Sequence, residues 1–336
     1  MHPRLIDIPI WVIALVGGGV LSLSFIGNAK RIALTLGIAL AGAAVAGGFA
    51  FSQTWGHNTV PVQSYGTMIL IGFLTGVGMA AYRSRRIGVD PKHCIDVGVY
   101  GVMVGLFGAR LLHIASNWGD FTPFLDHGFS GERILKMFKV WEAGLDFFGA
   151  FITTIPFAYF YCKYFKIPAI PFLDLAVPSL IAGQAFGRIG CFLYGCCYGK
   201  VCDLPWHVRF PNDSPAFNRH VSEGLIEKTA AYSAYIHPTQ IYASIAAFLT
   251  AGFLYAYWPR RPYDGSVLAL MMIMAGATRF FEELLRADEP PLFASIPWLT
   301  AAHYFALAAI ATGAFLMLYF RREPKLYKPL AVQCGL

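Results

Sequence analysis

The stretch GRIGCFLYGCCYGK, residues 187–200, ends a long apolar run and carries Arg188 beside glycines. We expect this position to lie at a membrane boundary, where a charge is costly and usually indicates an anionic ligand or an oppositely charged partner. Cys191, Cys196 and Cys197 follow within the next nine residues. The stretch therefore predicts a membrane helix that ends in a candidate polar site.

The composition is that of a protein embedded in a lipid bilayer. Hydrophobic residues make up 57% of the 336 residues and charged residues only 13%, whereas soluble domains carry about 25% charged residues. The formal net charge is +7, but the Lys and Arg residues lie between apolar runs, where they orient a membrane protein. The pattern favours an all-α polytopic bundle and argues against a soluble enzyme or a nucleic-acid-binding protein.

Apolar runs of about 20 residues, the length that crosses a bilayer, predict nine spans. They are approximately 8–26, 32–51, 65–82, 94–115, 143–162, 168–190, 238–258, 265–281 and 298–320. Basic residues follow every odd-numbered span, and such residues mark the cytoplasmic side. We therefore expect the N-terminus outside, the C-terminus inside, and the long connections 116–142 and 191–237 on the outer side.

Charged residues collect at the predicted outer boundary, at the level of the lipid headgroups. They include Asp146, Arg188, Arg279 and Glu283. Arg279 and Glu283 stand four residues apart, a spacing at which ion pairs form along a helix. Arg188 either binds a ligand or pairs with Glu283 or Asp174 inside the bundle.

Seven short motifs follow one another between residues 65 and 286. They are YGTMILIGFL at 65–74, GARLLH at 108–113, VWEAGLDFFGAF at 140–151, LDLAVPSLIAGQAFGRIGCF at 173–192, YGKVCDLPWHVRFP at 198–211, HPTQIY at 237–242 and DGSVLALMMIMAGATRFFEELLR at 264–286. In this order they resemble the bacterial prolipoprotein diacylglyceryl transferases. The resemblance implies that residues 61–325 form that family's seven-helix body. Residues 1–60 then add two N-terminal transmembrane spans, and residues 326–336 form a cytoplasmic tail.

The resemblance also implies a reaction. A diacylglyceryl group passes from phosphatidylglycerol to the lipobox cysteine thiol of a prolipoprotein signal peptide, at the outer face of the bacterial inner membrane, without a cofactor. Because the phosphate leaves as glycerol phosphate, fixed cations should hold it. The residues that match the family's substrate site are Arg188 and Arg279 on the phosphate, Tyr65 on the headgroup, and Gly199.

The family's usual histidine is replaced here by Phe148 in the motif DFFGA. Phenylalanine can neither accept a proton from a thiol nor donate a hydrogen bond. Three residues are candidates for the missing general base, in the order His237, His113 and Asp146. Histidine titrates near neutrality, and burial can raise the pKa of an aspartate into the same range.

Cysteines also stand where the family has polar residues: Cys191 replaces an asparagine and Cys196 a glutamate. Three interpretations remain open for them, together with Cys197 and Cys202. They form one or two disulfides in an oxidising compartment, they bind zinc with His207 despite an unusual spacing, or one of them is a thiolate nucleophile. We expect a disulfide or a reduced structural role and no metal.

These departures leave two alternatives to the transferase. One is a divergent paralogue that acts on another lipid or acceptor. The other is a non-enzymatic lipid-binding or transport protein, for which we would expect inverted repeats and broken helices near the midplane. The sequence shows neither feature, and its charges cluster at one face.

Overall fold

The protein is described from a computed structural model. The residues it describes are 4–9, 59–121, 137, 146–287 and 299–327. Apart from Ile8 and Pro9, the predicted spans 8–26 and 32–51 lie outside these residues. So do most of the predicted extension 1–60 and the greater part of the predicted tail 326–336.

Helices dominate the described residues. The two strands are β1 (Arg4–Pro9) and β2 (Thr59–Gln63). The helices are α1 (Ser64–Ser84), α2 (Pro91–Ser116), α3 (Trp118–Phe121), α4 (Phe147–Tyr164), α5 (Ala169–Tyr194), α6 (Pro215–Ser222), α7 (Thr239–Tyr257), α8 (Ser266–Leu285) and α9 (Ala301–Arg322). Single 3-10 turns follow α1 at Arg85–Ile87 and α7 at Trp258–Arg260.

Each predicted span from 65–82 onward coincides with one long helix. Within the described part of the chain, five helices are long and apolar enough to cross a bilayer. These are Ser64–Ile87, Pro91–Ser116, Ala169–Tyr194, Thr239–Arg260 and Ala301–Arg322. The chain is therefore a multi-pass helical membrane protein, as its sequence predicts.

The first predicted span begins too early. Strand β1 pairs antiparallel with β2, with Ile6 opposite Val62 and Ile8 opposite Val60. Residues 8 and 9, which we placed in a membrane helix, therefore belong to a short β-ribbon directly before α1. Branched side chains such as Ile and Val favour strands, so an apolar run alone did not distinguish this ribbon from a helix.

Local signals define the helix ends. Helix α2 begins after Asp90, whose carboxylate accepts a hydrogen bond from the Lys92 amide at 2.9 Å. That bond lowers the pKa of Asp90. Pro91 occupies the first helical position, where its missing N–H costs nothing. Helix α6 repeats the pattern, with Ser214 as the N-cap and Pro215 first.

The chain divides into two compact units, residues 1–88 with 170–336, and residues 89–169. In the first unit, small residues allow helix backbones to approach closely, as is common in membrane bundles. A Cβ atom added at Gly72 of α1 would lie 2.7 Å from the Gly183 carbonyl oxygen of α5. Between α8 and α9, a Cβ at Gly313 would lie 2.7 Å from the Ala269 carbonyl oxygen.

We predict that Gly72→Ala destabilises the first unit by about 1–3 kcal/mol, the usual cost of overpacking. The added methyl would meet a backbone oxygen of α5, which can yield only if the two helices separate. Gly78→Ala on the same helix is the matched control, because nothing lies within 4 Å of its Cβ position. Thermal unfolding in detergent measures the difference, and equal midpoints for the two variants would contradict the packing argument.

In the second unit, α2 also packs closely against α4 through small residues. A Cβ at Gly105 would lie 2.9 Å from the Thr154 hydroxyl. The Thr153 hydroxyl donates a hydrogen bond to the Val104 carbonyl at 3.1 Å. Arg110 is buried, and its Nε donates to the Met137 carbonyl at 3.1 Å. Arg110 is therefore bonded to backbone inside this unit.

Asp174 ties α5 to the start of α8 in the first unit. Its carboxylate is fully buried and accepts hydrogen bonds from the amides of Gly265 at 2.7 Å and Leu268 at 2.9 Å. The Arg261 guanidinium stands 3.7 Å away. The Asp174 carboxylate thus caps the N-terminus of α8, a position that favours negative charge.

Candidate active site

Several helix ends of the first unit meet in one region, which we call the polar end. It comprises the N-termini of α1 and α7 and the C-termini of α5 and α8. Helices α1 and α5 touch there, because a Cβ at Gly190 would lie 3.1 Å from Cδ2 of Tyr65. The rings of Tyr65 and Tyr194 are 6.1 Å apart. Tyr65 itself is 39% exposed, so its phenol is accessible.

Arg188 lies near the C-terminal end of α5 and is half-buried. Among the described residues it makes no hydrogen bond or ion pair. Asp174 is bound to α8, and Glu283 pairs with Arg279. Both partners proposed from the sequence are thus occupied elsewhere. Arg188 remains close enough to Tyr65 and Glu282 to act on them electrostatically.

Arg279 has a structural partner. Its Nη2 lies 2.8 Å from Oε2 of Glu283, one turn further along α8. The other Glu283 oxygen accepts a hydrogen bond from the Thr300 hydroxyl at 2.7 Å, just before α9 begins. Glu283 is only 3% exposed. The carboxylate therefore joins α8 to the start of α9 and neutralises Arg279.

The motif HPTQIY holds the cysteine turn in place. The Thr239 hydroxyl donates to the Cys197 carbonyl at 2.9 Å, and the Gln240 amide donates to the Cys196 carbonyl at 2.7 Å. Both donors are buried. The first turn of α7 therefore fixes the backbone of the turn that follows Arg188.

Gly199 sits where that turn passes closest to His237. Its amide donates to the His237 carbonyl at 3.2 Å. A Cβ at this position would lie 2.6 Å from the His237 Cβ and 2.7 Å from Cγ2 of Thr239. Gly199 thus packs against backbone and side chains of the motif 237–242, and only glycine fits this approach.

His237 has the features of a candidate proton acceptor. Its Nδ1 is buried and has no hydrogen-bond partner among the described residues. The imidazole meets the Tyr242 ring edge-on, with ring centroids 6.3 Å apart. The Tyr242 hydroxyl in turn accepts a hydrogen bond from Nε1 of Trp206 at 2.7 Å. A buried polar atom without a hydrogen bond lowers the stability of the folded state. Such atoms are found at functional sites, where a catalytic role explains them.

The other two candidate bases belong to the second unit. His113 lies in the last turn of α2, and its Nδ1 is 3.3 Å from the side-chain nitrogen Nδ2 of Asn117. Asp146 immediately precedes α4, and its carbonyl accepts from the Gly149 amide at 3.1 Å. Phe148 follows in the first turn of that helix, and its side chain lies outside the described structure.

Three of the cysteines form one cluster, which we call the thiol cluster. The sulfur atoms of Cys191, Cys196 and Cys197 all lie within 4.8 Å of one another. Hydrogen bonds from the other two thiols lower the pKa of Cys197 strongly, and the charges of Arg286 and Arg188 act in the same direction.

Two of the interpretations of these cysteines are wrong. The cysteines at 191, 196, 197 and 202 are free thiols, so no disulfide is formed and the reduced alternative remains. Cys202 is not part of the thiol cluster. The ring of His207 packs against Tyr235 with centroids 4.0 Å apart, and its Nδ1 lies 2.6 Å from the Leu204 carbonyl oxygen. The zinc set that combined all four cysteines with His207 is therefore not assembled.

His220 of α6 stabilises the connection 191–237 through a neutral imidazole. It is 2% exposed, and its Nδ1 accepts a hydrogen bond from the Ala234 amide at 3.2 Å. Its ring meets that of Tyr198 edge-on. Burial lowers the pKa of His220. The unfolded chain therefore binds a proton here at a higher pH than the folded chain does.

From this we predict a stability loss on acidification. The contribution of His220 is complete above its unfolded pKa of about 6.5 and is lost as the pH falls below that value, toward the lowered folded pKa. Thermal midpoints between pH 7.5 and 5.5 should fall more steeply for the native chain than for His220→Gln. Parallel slopes for the two proteins would show that His220 does not contribute.

Sequence reasoning missed several residues of the polar end. Glu282 and Arg286 flank Glu283 on the last turn of α8 and its C-cap, and Thr239 clamps the cysteine turn. Arg286 pairs by a β-bridge with Gly199, which brings its backbone to the cysteine turn. Helical spacing was the available signal for Arg286, because it stands seven residues after Arg279 and so lies on the same face.

A multi-pass helical bundle whose described residues place a tyrosine, an arginine without an ion pair and a buried imidazole nitrogen without a hydrogen bond at one end is typical of a membrane-embedded enzyme that binds an anionic substrate. A family model described as prolipoprotein diacylglyceryl transferase matches residues 54–319. The chain belongs to that family.

Individual relatives agree with this assignment, and each is named phosphatidylglycerol–prolipoprotein diacylglyceryl transferase. The one from Clostridium tetani is 35% identical over 254 residues, which cover 76% of this chain and 91% of the relative. The one from Coxiella burnetii is 30% identical over 275 residues, covering 78% and 92%. The one from Psychrobacter arcticus is 28% identical, covering 77% and 90%.

Proposed function

We propose that this protein transfers a diacylglyceryl group from phosphatidylglycerol to the lipobox cysteine thiol of prolipoproteins, at the outer face of the bacterial inner membrane. In this proposal residues 61–325 are the transferase body, and residues 1–60 and 326–336 are an N-terminal extension and a cytoplasmic tail. The names of the relatives support the reaction. The positive residues after the odd-numbered predicted spans support an outer polar end.

The observation that carries the proposal is that Arg188 has no hydrogen bond or ion pair in the part of the chain that the structure describes. Transfer breaks the bond between a glycerol carbon and a phosphate oxygen, and negative charge grows on the departing glycerol phosphate. A guanidinium that is already half-buried stabilises this charge without reorganisation, and it holds a phosphate through two parallel hydrogen bonds. Tyr65, 39% exposed at the same end, supplies a phenol to the headgroup.

The acceptor thiol must lose its proton before it attacks. We place His237 first among the candidate bases, because its buried Nδ1 has no hydrogen bond within the described structure and the residue directly contacts the cysteine turn. His113 and Asp146 follow. Arg279 remains a proposed second phosphate ligand, but to act as one it must share its charge with Glu283.

The deciding experiment is complementation of a bacterial strain depleted of its own prolipoprotein diacylglyceryl transferase. We expect the gene to restore growth and lipoprotein modification. Purified protein should also transfer label from radiolabelled phosphatidylglycerol to a lipobox peptide, and a peptide with serine at the cysteine position is the matched control. Failure in both assays by a correctly inserted protein would favour the paralogue or lipid-binding alternatives.

A further inference from the structure

The thiol cluster is a site that the proposed reaction leaves unexplained. Three sulfur atoms from Cys191, Cys196 and Cys197 lie within 4.8 Å of one another. Each residue is partly exposed, so the cluster is accessible to a small ligand. Zinc bonds to sulfur at about 2.3 Å, which places ligand sulfurs about 3.8 Å apart in a tetrahedral site. The sulfurs here are at most 4.8 Å apart, about 1 Å above that value.

The backbone that carries these thiols is held rigidly. Gly195 and Cys197 adopt positive φ angles of 80° and 58°, a conformation that is uncommon for a residue other than glycine. The amides of Gly195 and Cys196 both donate to the Cys191 carbonyl. With the clamps on the carbonyls of residues 196 and 197 described above, these bonds make the three thiols converge. A metal site needs this kind of preorganisation.

The charges around the cluster also fit a thiolate-bound metal ion. Three thiolates around one divalent zinc carry a net charge of −1. Arg188 and Arg286 lie near enough to Cys197 to act on it electrostatically, so they would compensate that charge. Histidine and carboxylate ligands are not needed, because thiolates are preferred by soft metal ions and bind zinc well.

We propose that Cys191, Cys196 and Cys197 bind one zinc ion whose open fourth position takes the acceptor thiol. Three protein ligands with one exchangeable position is the arrangement of catalytic zinc sites. This inference rests on the proposed transferase function, which supplies both the acceptor and the neighbouring phosphate. It gives the chain a means of activating the thiol although Phe148 occupies the position of the family histidine.

The proposed transfer exchanges a carbon–oxygen bond of the lipid for a carbon–sulfur bond to the acceptor. The acceptor thiol binds the metal as a thiolate, since a coordinating thiol is deprotonated, and its proton passes to the proposed general base His237. The thiolate sulfur attacks the glycerol carbon that bears the phosphate and forms a carbon–sulfur bond. The carbon–oxygen bond breaks, and its electron pair leaves with the glycerol phosphate beside Arg188. No oxidant or reductant is required.

The first test uses Co²⁺ as a spectroscopic probe with the purified, metal-stripped full-length protein. We expect one equivalent to bind with a thiolate charge-transfer absorption. Each of the single variants Cys191→Ser, Cys196→Ser and Cys197→Ser should bind Co²⁺ at least 10-fold more weakly, whereas the matched control Cys202→Ser should bind it normally. A lipobox peptide should shift the cobalt spectrum, and the serine peptide should not. The proposal is overturned if wild-type protein binds no metal, or if neither peptide changes the spectrum.

The second test measures transfer. Chelation should lower the activity of the native protein at least 10-fold, and stoichiometric zinc should restore it. Full activity of metal-free protein overturns the proposal. The two hypotheses fail differently: a cobalt spectrum that responds to the peptide in a protein that never transfers lipid would reject the proposed reaction but support the thiol site. Thermal midpoints of the serine variants confirm that they are folded.

Discussion

Replacing Arg188 by alanine is expected to lower kcat/KM for diacylglyceryl transfer by about 10²–10³-fold, the usual effect of removing one group that stabilises developing negative charge. The guanidinium makes no hydrogen bond or ion pair among the described residues, so its loss breaks no direct bond to a carboxylate, although it removes a nearby positive charge from Glu282. Stability should therefore change little. This combination separates a ligand-binding arginine from a structural one, whose removal would primarily affect folding.

Two further variants test whether the guanidinium geometry and the position of Arg188 are required. Arg188→Lys keeps the charge but loses the planar pair of donors, so we expect it to recover only part of the activity. Arg219→Ala removes an exposed arginine of α6 whose guanidinium pairs with Glu223, and it should be fully active. The measurement is label transfer from phosphatidylglycerol to a lipobox peptide, with thermal midpoints recorded in parallel. An Arg188→Ala protein with native activity would reject the phosphate-binding role.

The sequence predicted the membrane body well because its signals are long and repetitive. An apolar run of about 20 residues is governed by bilayer thickness, so each predicted span from 65–82 onward meets a helix. The ribbon before α1 was missed because β1 and β2 are only 6 and 5 residues long. Their pairing joins residues that are far apart in the chain, which no local pattern reveals.

The polar end could be predicted only in outline. Sequence identified Arg188 as a costly charge but left its partner open, since spacing along a helix says nothing about contacts with another helix. Asp174 was plausible as that partner until the structure showed it bound to Gly265 and Leu268. The i,i+4 spacing did predict the ion pair between Arg279 and Glu283, because both residues lie on one helix.

The grouping of the cysteines also depends on contacts between distant parts of the chain. Sequence spacing grouped Cys202 with its neighbours and suggested a disulfide, yet the chain turns at residues 195–199 and separates it from the other three. That turn depends on the clamps from Thr239 and Gln240. These donors lie more than forty residues downstream, so the convergence of three thiols could not be predicted from the order of the cysteines.

Glu283→Ala is expected to give the largest loss of stability, about 3–5 kcal/mol, the cost of breaking a buried ion pair by removing one partner. The change leaves Arg279 without its 2.8 Å partner and removes the acceptor of the Thr300 hydroxyl. Both losses loosen α8 from the start of α9. Chemical unfolding in mixed micelles measures the effect, and a loss below about 1 kcal/mol would contradict the prediction.

The double variant Arg279→Ala with Glu283→Ala separates structure from catalysis. Because it removes both charges, we expect it to recover a large part of the stability lost in Glu283→Ala. If Arg279 only neutralises Glu283, lipid transfer should recover together with stability. If Arg279 also holds phosphate, transfer should stay at least 10-fold low in a stable protein. The second outcome would establish two arginines at the phosphate, and the first would leave that role to Arg188 alone.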